Sequence, residues 1–112
     1  MMRMIHGQNV LGVGIDGETR CAHWHSPLDV IAIRFRCCGD WYPCSECHAE
    51  IASHDVQAWP RNEFDGEAVL CGKCGRKLSV NEYLDCGYVC PGCGAGFNPG
   101  CSRHLHHYFE MG

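Results

Sequence analysis

At 112 residues the chain is long enough for one small domain or two very small ones, with a core that buries only a modest fraction of its surface, so apolar packing needs help to hold the fold. Cysteine supplies 11 of those residues, the density of a cross-linked or metal-bound scaffold. The formal net charge is −4 and the pI about 6.0; without a polybasic block or an RNP-like aromatic stretch, a dominant nucleic-acid role is disfavoured, and no segment is long and apolar enough to cross a membrane.

In chain order, residues 1–20 are Gly-rich with one short apolar run, VLGVGI, which reads as a lead-in strand and turn. LDVIAIRF (28–35) is apolar and β-branched, a buried strand that stops at the pair Cys37-Cys38. SECHAEIASH has better helix formers and predicts a short helix from about Ser45. Residues 57–68, with Pro60 and Gly66, read as a connecting loop, and a second unit begins at Leu70. LSVNEYL (78–84) predicts one or two helical turns, GYVC a short return strand, and Asn98-Pro99-Gly100 a turn before an aromatic, His-rich tail.

The odd number of cysteines, the lack of an N-terminal apolar run suited to a signal peptide and the repeated Cys-x2-Cys pairs favour zinc over disulfides. The strongest signal is Cys71-x2-Cys74 and, after fifteen residues, Cys90-x2-Cys93: two tight turns, each followed by glycine, that face each other around one structural ion. A redox Cys-x2-Cys of the thioredoxin kind would need a surrounding βαβ pattern that the sequence lacks.

Upstream, Cys44-x2-Cys47 needs two more ligands, and Cys21-x-His23 offers them, because alternate residues of a strand point the same way. His48 leaves that turn in another direction and pairs with His54, leaving Cys37 and Cys38 to finish a second set. Adjacent residues on a regular strand face opposite sides, so those two thiols reach one ion only if the strand is kinked near Gly39; otherwise they serve different ions. Nine cysteines and three histidines make three sets of four.

The stretches CAHW, CC and YPCSECH, the later His54 and the paired Cys-x2-Cys resemble the CHY-type zinc finger, with Trp24 where the name-giving tyrosine usually stands. RCAHWHSPLDVIAIRFRCC, LCGKCGRKLSVNEYL and CPGCGAGFNPGC followed by YFE are similar to the small stand-alone CHY proteins, from about residue 5 to 110. The resemblance implies a small zinc-stabilised domain, irregular with short β-hairpins and short helices, with zinc held by Cys21, His23, Cys44 and Cys47, by Cys37, Cys38, His48 and His54, and by Cys71, Cys74, Cys90 and Cys93. Residues 1–112 then form a single domain, with two interleaved sites in about 15–65 and a four-cysteine ribbon-like unit and His-rich tail in 66–112. The family also includes the front unit of CHY-RING ubiquitin ligases, but no RING follows here. Its mitochondrial stand-alone member aids assembly of small intermembrane-space Tim chaperones. The implied location is cytoplasmic for a prokaryotic protein and the mitochondrial intermembrane space for a eukaryotic one.

Trp24, Trp41, Tyr42 and Trp59 read as caps over the zinc sites, and His6 and His25 as surface or hydrogen-bonding residues. Cys86 and Cys101 remain unassigned: buried free thiols on the plain reading, an exchangeable metal site or reactive pair on the sharper one. His104, His106 and His107 read as a solvated helix end, with a metal-binding cluster as the alternative. Tyr108 and Phe109 are expected to pack on the four-cysteine unit. Catalytic zinc needs an open position and an activating carboxylate, and neither HExxH nor HxE with PCxxC occurs, so no enzyme is expected. The expected function is a monomeric zinc-stabilised module with a protein partner; the alternative is a helper that handles metal or thiols. Nine thiolates with three Zn²⁺ would take the net charge to about −7, so partners should present basic or apolar surfaces.

Overall fold

The chain enters its sheet through a tight hairpin. In the computed structural model, which describes residues 2–23, 27, 29–52, 54–55, 57–97 and 108–109, strands β1 (Met2–Ile5) and β2 (Gln8–Leu11) pair antiparallel. Between them, His6 and Gly7 have φ of 48° and 82°, the left-handed pair that a two-residue hairpin turn requires. The strand expected in VLGVGI thus lies earlier in the chain. The polar residues Gln8 and Asn9 hid its start, and His-Gly is a quieter turn signal than Asn-Gly.

β3 (Ile31–Arg34) is central, and its first three residues are buried. It pairs antiparallel with β4 (Trp41–Tyr42) on one side and β5 (Glu67–Cys71) on the other. β5 begins inside the stretch read as a connecting loop, because its first residue is an exposed glutamate and only Ala68 onward is buried. β6 (Lys77–Ser79) completes the sheet, whose order is β1-β2-β4-β3-β5-β6, with β2 and β4 its parallel neighbours. Through the β3–β5 ladder, residues on either side of position 66 share one sheet.

Among the described residues two α-helices flank it. α1 (Ser45–Ile51) starts from Cys44 as N-cap and lies against β2 and β4. α2 (Val80–Asp85) leaves β6 through a capping box in which the Ser79 side chain accepts the Glu82 N–H and the Glu82 carboxylate accepts the Ser79 N–H. The helical turns expected over 78–84 therefore begin two residues later, after a strand. Of the strand expected in GYVC, only a bridge between Val89 and Gly96 forms.

Strand alternation sorts the core. Ala32 and Leu70, opposite each other, pack with Ile5, Val10 and Trp41. Ile31, Ile33, Val69 and Cys71 join the larger cluster, which includes Phe35, Tyr42, Leu78, Tyr83, Phe97 and Phe109. All three groups of cysteines and histidines draw on this second cluster.

Candidate metal centres

Tetrahedral zinc, with Zn–S of about 2.3 Å and Zn–N of about 2.0–2.1 Å, separates its ligand atoms by about 3.8 Å for sulfur pairs and about 3.3–3.6 Å where nitrogen takes part. Among the described residues, three groups of four side chains approach this spacing, with all ligand atoms of a group within 4.8 Å of one another.

In the first group, Cys21 Sγ is 3.6 Å from Cys44 Sγ. His23 Nδ1 lies 3.5 Å from the sulfurs of Cys44 and Cys47 and 3.8 Å from that of Cys21. Backbone N–H groups of Cys47 and Val13 donate to the Cys44 and Cys47 sulfurs, which suits thiolates.

The second group joins Cys37 and Cys38, 3.9 Å apart, to His48 and His54 through their Nε2 atoms. Cys37 Sγ is 3.3 Å and 3.2 Å from the two imidazoles, which are 3.3 Å from each other. β3 ends at Arg34, so both thiols sit on a turn and the pleat no longer separates them. In that turn the Phe35 N–H donates to Asp40 O and the Gly39 N–H to Phe35 O, with Gly39 at φ 73°.

The third group pairs Cys71 with Cys93 at 3.8 Å and Cys74 with Cys90 at 3.7 Å. Its two turns repeat the bonding just described: Cys71 N–H to Arg76 O and Gly75 N–H to Cys71 O, then Cys90 N–H to Ala95 O and Gly94 N–H to Cys90 O. Gly75 and Gly94 have φ of 82° and 75°. FRCCGD is therefore the same six-residue turn as CGKCGR and CPGCGA, with Phe35 where the others begin with cysteine.

Residues 21–83 match the family model of the CHY zinc finger. The chain belongs to the CHY zinc finger family. It is 41% identical over 104 residues to Helper of Tim protein 13 of Saccharomyces cerevisiae, covering 90% of each chain. It is 44% identical over 100 residues to the Kluyveromyces lactis protein of the same name, covering 89% of this chain and 87% of the relative. An uncharacterised protein of Schizosaccharomyces pombe is 41% identical over 102 residues, with 91% and 89% covered.

The donor chemistry fits the metal of a CHY finger. Without a cation, Cys38, Cys44, Cys47 and Cys71 hold their protons more tightly than an ordinary thiol. Cys21 and Cys47 beside it, together with burial, push the Cys44 thiol far up. Cys47 is held at about 11, chiefly by Cys21, and burial takes Cys38 to about 11 and Cys71 to about 12. Burial raises Cys90 too, but the N–H groups of Cys93 and Gly92 and the thiols of Cys71 and Cys74 together outweigh it and bring it to about 7. Burial and neighbouring His54 lower His48, favouring the neutral ring that a metal requires. A bound zinc would supply the positive charge these thiolates need and a rigid cross-link between elements.

Several residues that serve the CHY sites were not evident from spacing. The Phe35 ring stacks on His48 at 4.3 Å between centroids and 9° between planes, while Tyr42 meets the same imidazole edge-on at 5.0 Å. Tyr42 thus fills the expected role of aromatic cap. Trp41 instead packs with Ile5 and Val10, and Trp59 donates from Nε1 to Arg34 O. His6 Nε2 is 2.9 Å from Gly72 O, laying the β1–β2 turn over the third group. The repeated Cys-Gly after each six-residue turn start was the readable signal for Phe35.

Tyr108 departs from expectation: its hydroxyl accepts the Ser45 N–H at 3.0 Å and its ring meets Phe35, so it serves the first two groups. Phe109 packs against Phe64 and Tyr83. Cys86 is half-buried, caps α2 and donates its S–H to Tyr83 O. Trp24, His25, Cys101, His104, His106 and His107 lie outside the described residues.

Proposed function

We propose that this chain binds three structural zinc ions through the twelve residues of its three clusters and uses the surface they rigidify to assist a protein partner. The observation that carries the reading is the set of three four-ligand clusters at tetrahedral spacing among the described residues, two made of thiols and imidazoles and the third of thiols alone. Complete ligand sets belong to structural zinc, whereas catalytic zinc keeps a position for water, so the reading is of a protein without enzymatic activity. Relatives named Helper of Tim protein 13, matched over nearly their whole length, support an assembly-helper role with small Tim-type proteins as partners. Their fungal origin supports the eukaryotic branch of the expected location, the mitochondrial intermembrane space. Among the described residues no helix is long and apolar enough to cross a membrane. The reading is of a monomer.

One observation favours the second reading, a metal- or thiol-handling helper: Cys74 and Cys93 of the third group are exposed while the other two cysteines are buried. Native mass spectrometry of the chain, alone and after titration with a purified small Tim protein, separates the two. The interaction module forms a complex that retains three zincs; a handler loses one to the partner or to a chelator. Two zincs in the isolated chain, or full circular dichroism after chelation, would overturn both.

A further inference from the structure

His23 has two faces. Nδ1 points to the sulfurs of the first group, and Nε2, across the ring, lies 3.3 Å from Glu50 Oε1. We infer that Glu50 is a positioning residue for the first zinc: by accepting the Nε2–H it fixes the tautomer and ring orientation in which Nδ1 offers its lone pair to the metal. The inference rests on the reading that this cluster holds zinc.

The argument is geometric. An ionised carboxylate only accepts, so whichever nitrogen faces it carries the hydrogen and the other is left to ligate. α1 makes the arrangement rigid. Its N-cap is Cys44, its third residue is Cys47, and Glu50 follows one turn later, so one short helix supplies two thiols and the carboxylate that aims the histidine. His23 precedes this helix by more than twenty residues and is fastened to it by those contacts. The first group packs its three cysteines in the core but leaves His23 partly open to solvent. A hydrogen bond from outside is therefore what restrains the ring. Glu46, on the same helix face, is a built-in comparison: its carboxylate lies 4.0 Å from Nδ1, on the metal side of the ring, and a role in tautomer choice there would compete with ligation.

The test uses the full zinc-loaded chain. Metal content of the wild type comes first: an ion missing from the first group removes the underlying reading, independently of Glu50. Glu50→Ala, Glu50→Gln and Glu46→Gln are then titrated with a chromophoric chelator, and the histidine ring nitrogens are followed by ¹⁵N NMR. In Glu50→Ala, one of the three zincs should be released about tenfold more readily, at the lower end of the range for such outer partners, with loss of the fixed Nε2–H signal of His23. Glu50→Gln, whose amide oxygen still accepts, should fall between, and Glu46→Gln should match the wild type. Unchanged zinc affinity in Glu50→Ala, an equal loss in Glu46→Gln, or parallel weakening of all three zincs would each overturn the inference.

Discussion

A single backbone angle decides how closely the hairpin approaches the third cluster. Gly75 has φ of 82°, and a Cβ there would stand 2.7 Å from His6 Cβ. Gly75→Ala should cost at least about 1–2 kcal/mol from left-handed strain alone, with a further loss from displacing the β1–β2 turn, read as a lowered thermal midpoint at saturating zinc. The second cluster allows a sharper test at the same scale. Cys37→Ser and Cys38→Ser should alter the same cobalt absorption bands, since both thiols meet His48 and His54, and Cys21→Ser should alter a different set. A Cys38→Ser spectrum that instead resembles that of Cys21→Ser would sink this assignment.

Among the elements, α2 depends on its start. The Ser79–Glu82 capping box satisfies two N–H groups that a six-residue helix cannot satisfy internally. Ser79→Ala should cost about 1 kcal/mol, measured by denaturant midpoint with zinc present. Both helix starts were readable in the sequence to within two residues, because capping residues and Cys-x2-Cys turns are local signals. The Cys-x2-Cys pairs were readable for the same reason, whereas the company of Cys37 and Cys38 was not: it depends on the chain leaving β3 at Arg34 and turning, which spacing does not show. The β1–β2 hairpin was obscured because β2 opens on the polar Gln8 and Asn9 and His6-Gly7 is a weak turn signal, and the start of β5 because Glu67 is exposed and its β3 partners lie far along the chain. Phe35 reads in isolation as the end of an apolar strand; the Cys38-Gly39 that follows it is the faint signal of a metal turn, and the bonds it shares with Cys71 and Cys90 make that place plain.

Taken whole, the molecule should depend on metal. Each structural zinc contributes on the order of 10–16 kcal/mol, against roughly 5–15 kcal/mol of total stability for a domain, so chelation should abolish the circular dichroism of the fold. Protons compete for the same sulfurs. With Cys71 at about 12 and Cys38 and Cys47 at about 11 in the absence of metal, zinc must displace protons at neutral pH. Zinc-linked stability therefore rises with pH, is complete only where the metal-free thiols would ionise unaided, and is lost as the pH falls through neutral into acid, a trend that a zinc indicator dye can follow. The three ions should not leave together. Exposure of Cys74 and Cys93 makes the third the first to go, and alkylation mapped by mass spectrometry during release should modify those two residues before Cys44 or Cys47. Phe35 bears on a different hazard, the number of wrong partnerships open to a chain with many donors. A thiol at that position would add a Cys-x2-Cys competitor to Cys44-x2-Cys47 just upstream of it, and with it isomers that bind zinc in mismatched sets. Phenylalanine keeps the turn while withdrawing the donor, so metal is steered toward one arrangement. Phe35→Cys should fold into a mixture, seen as extra lines in the ¹¹³Cd NMR spectrum of the cadmium-loaded chain.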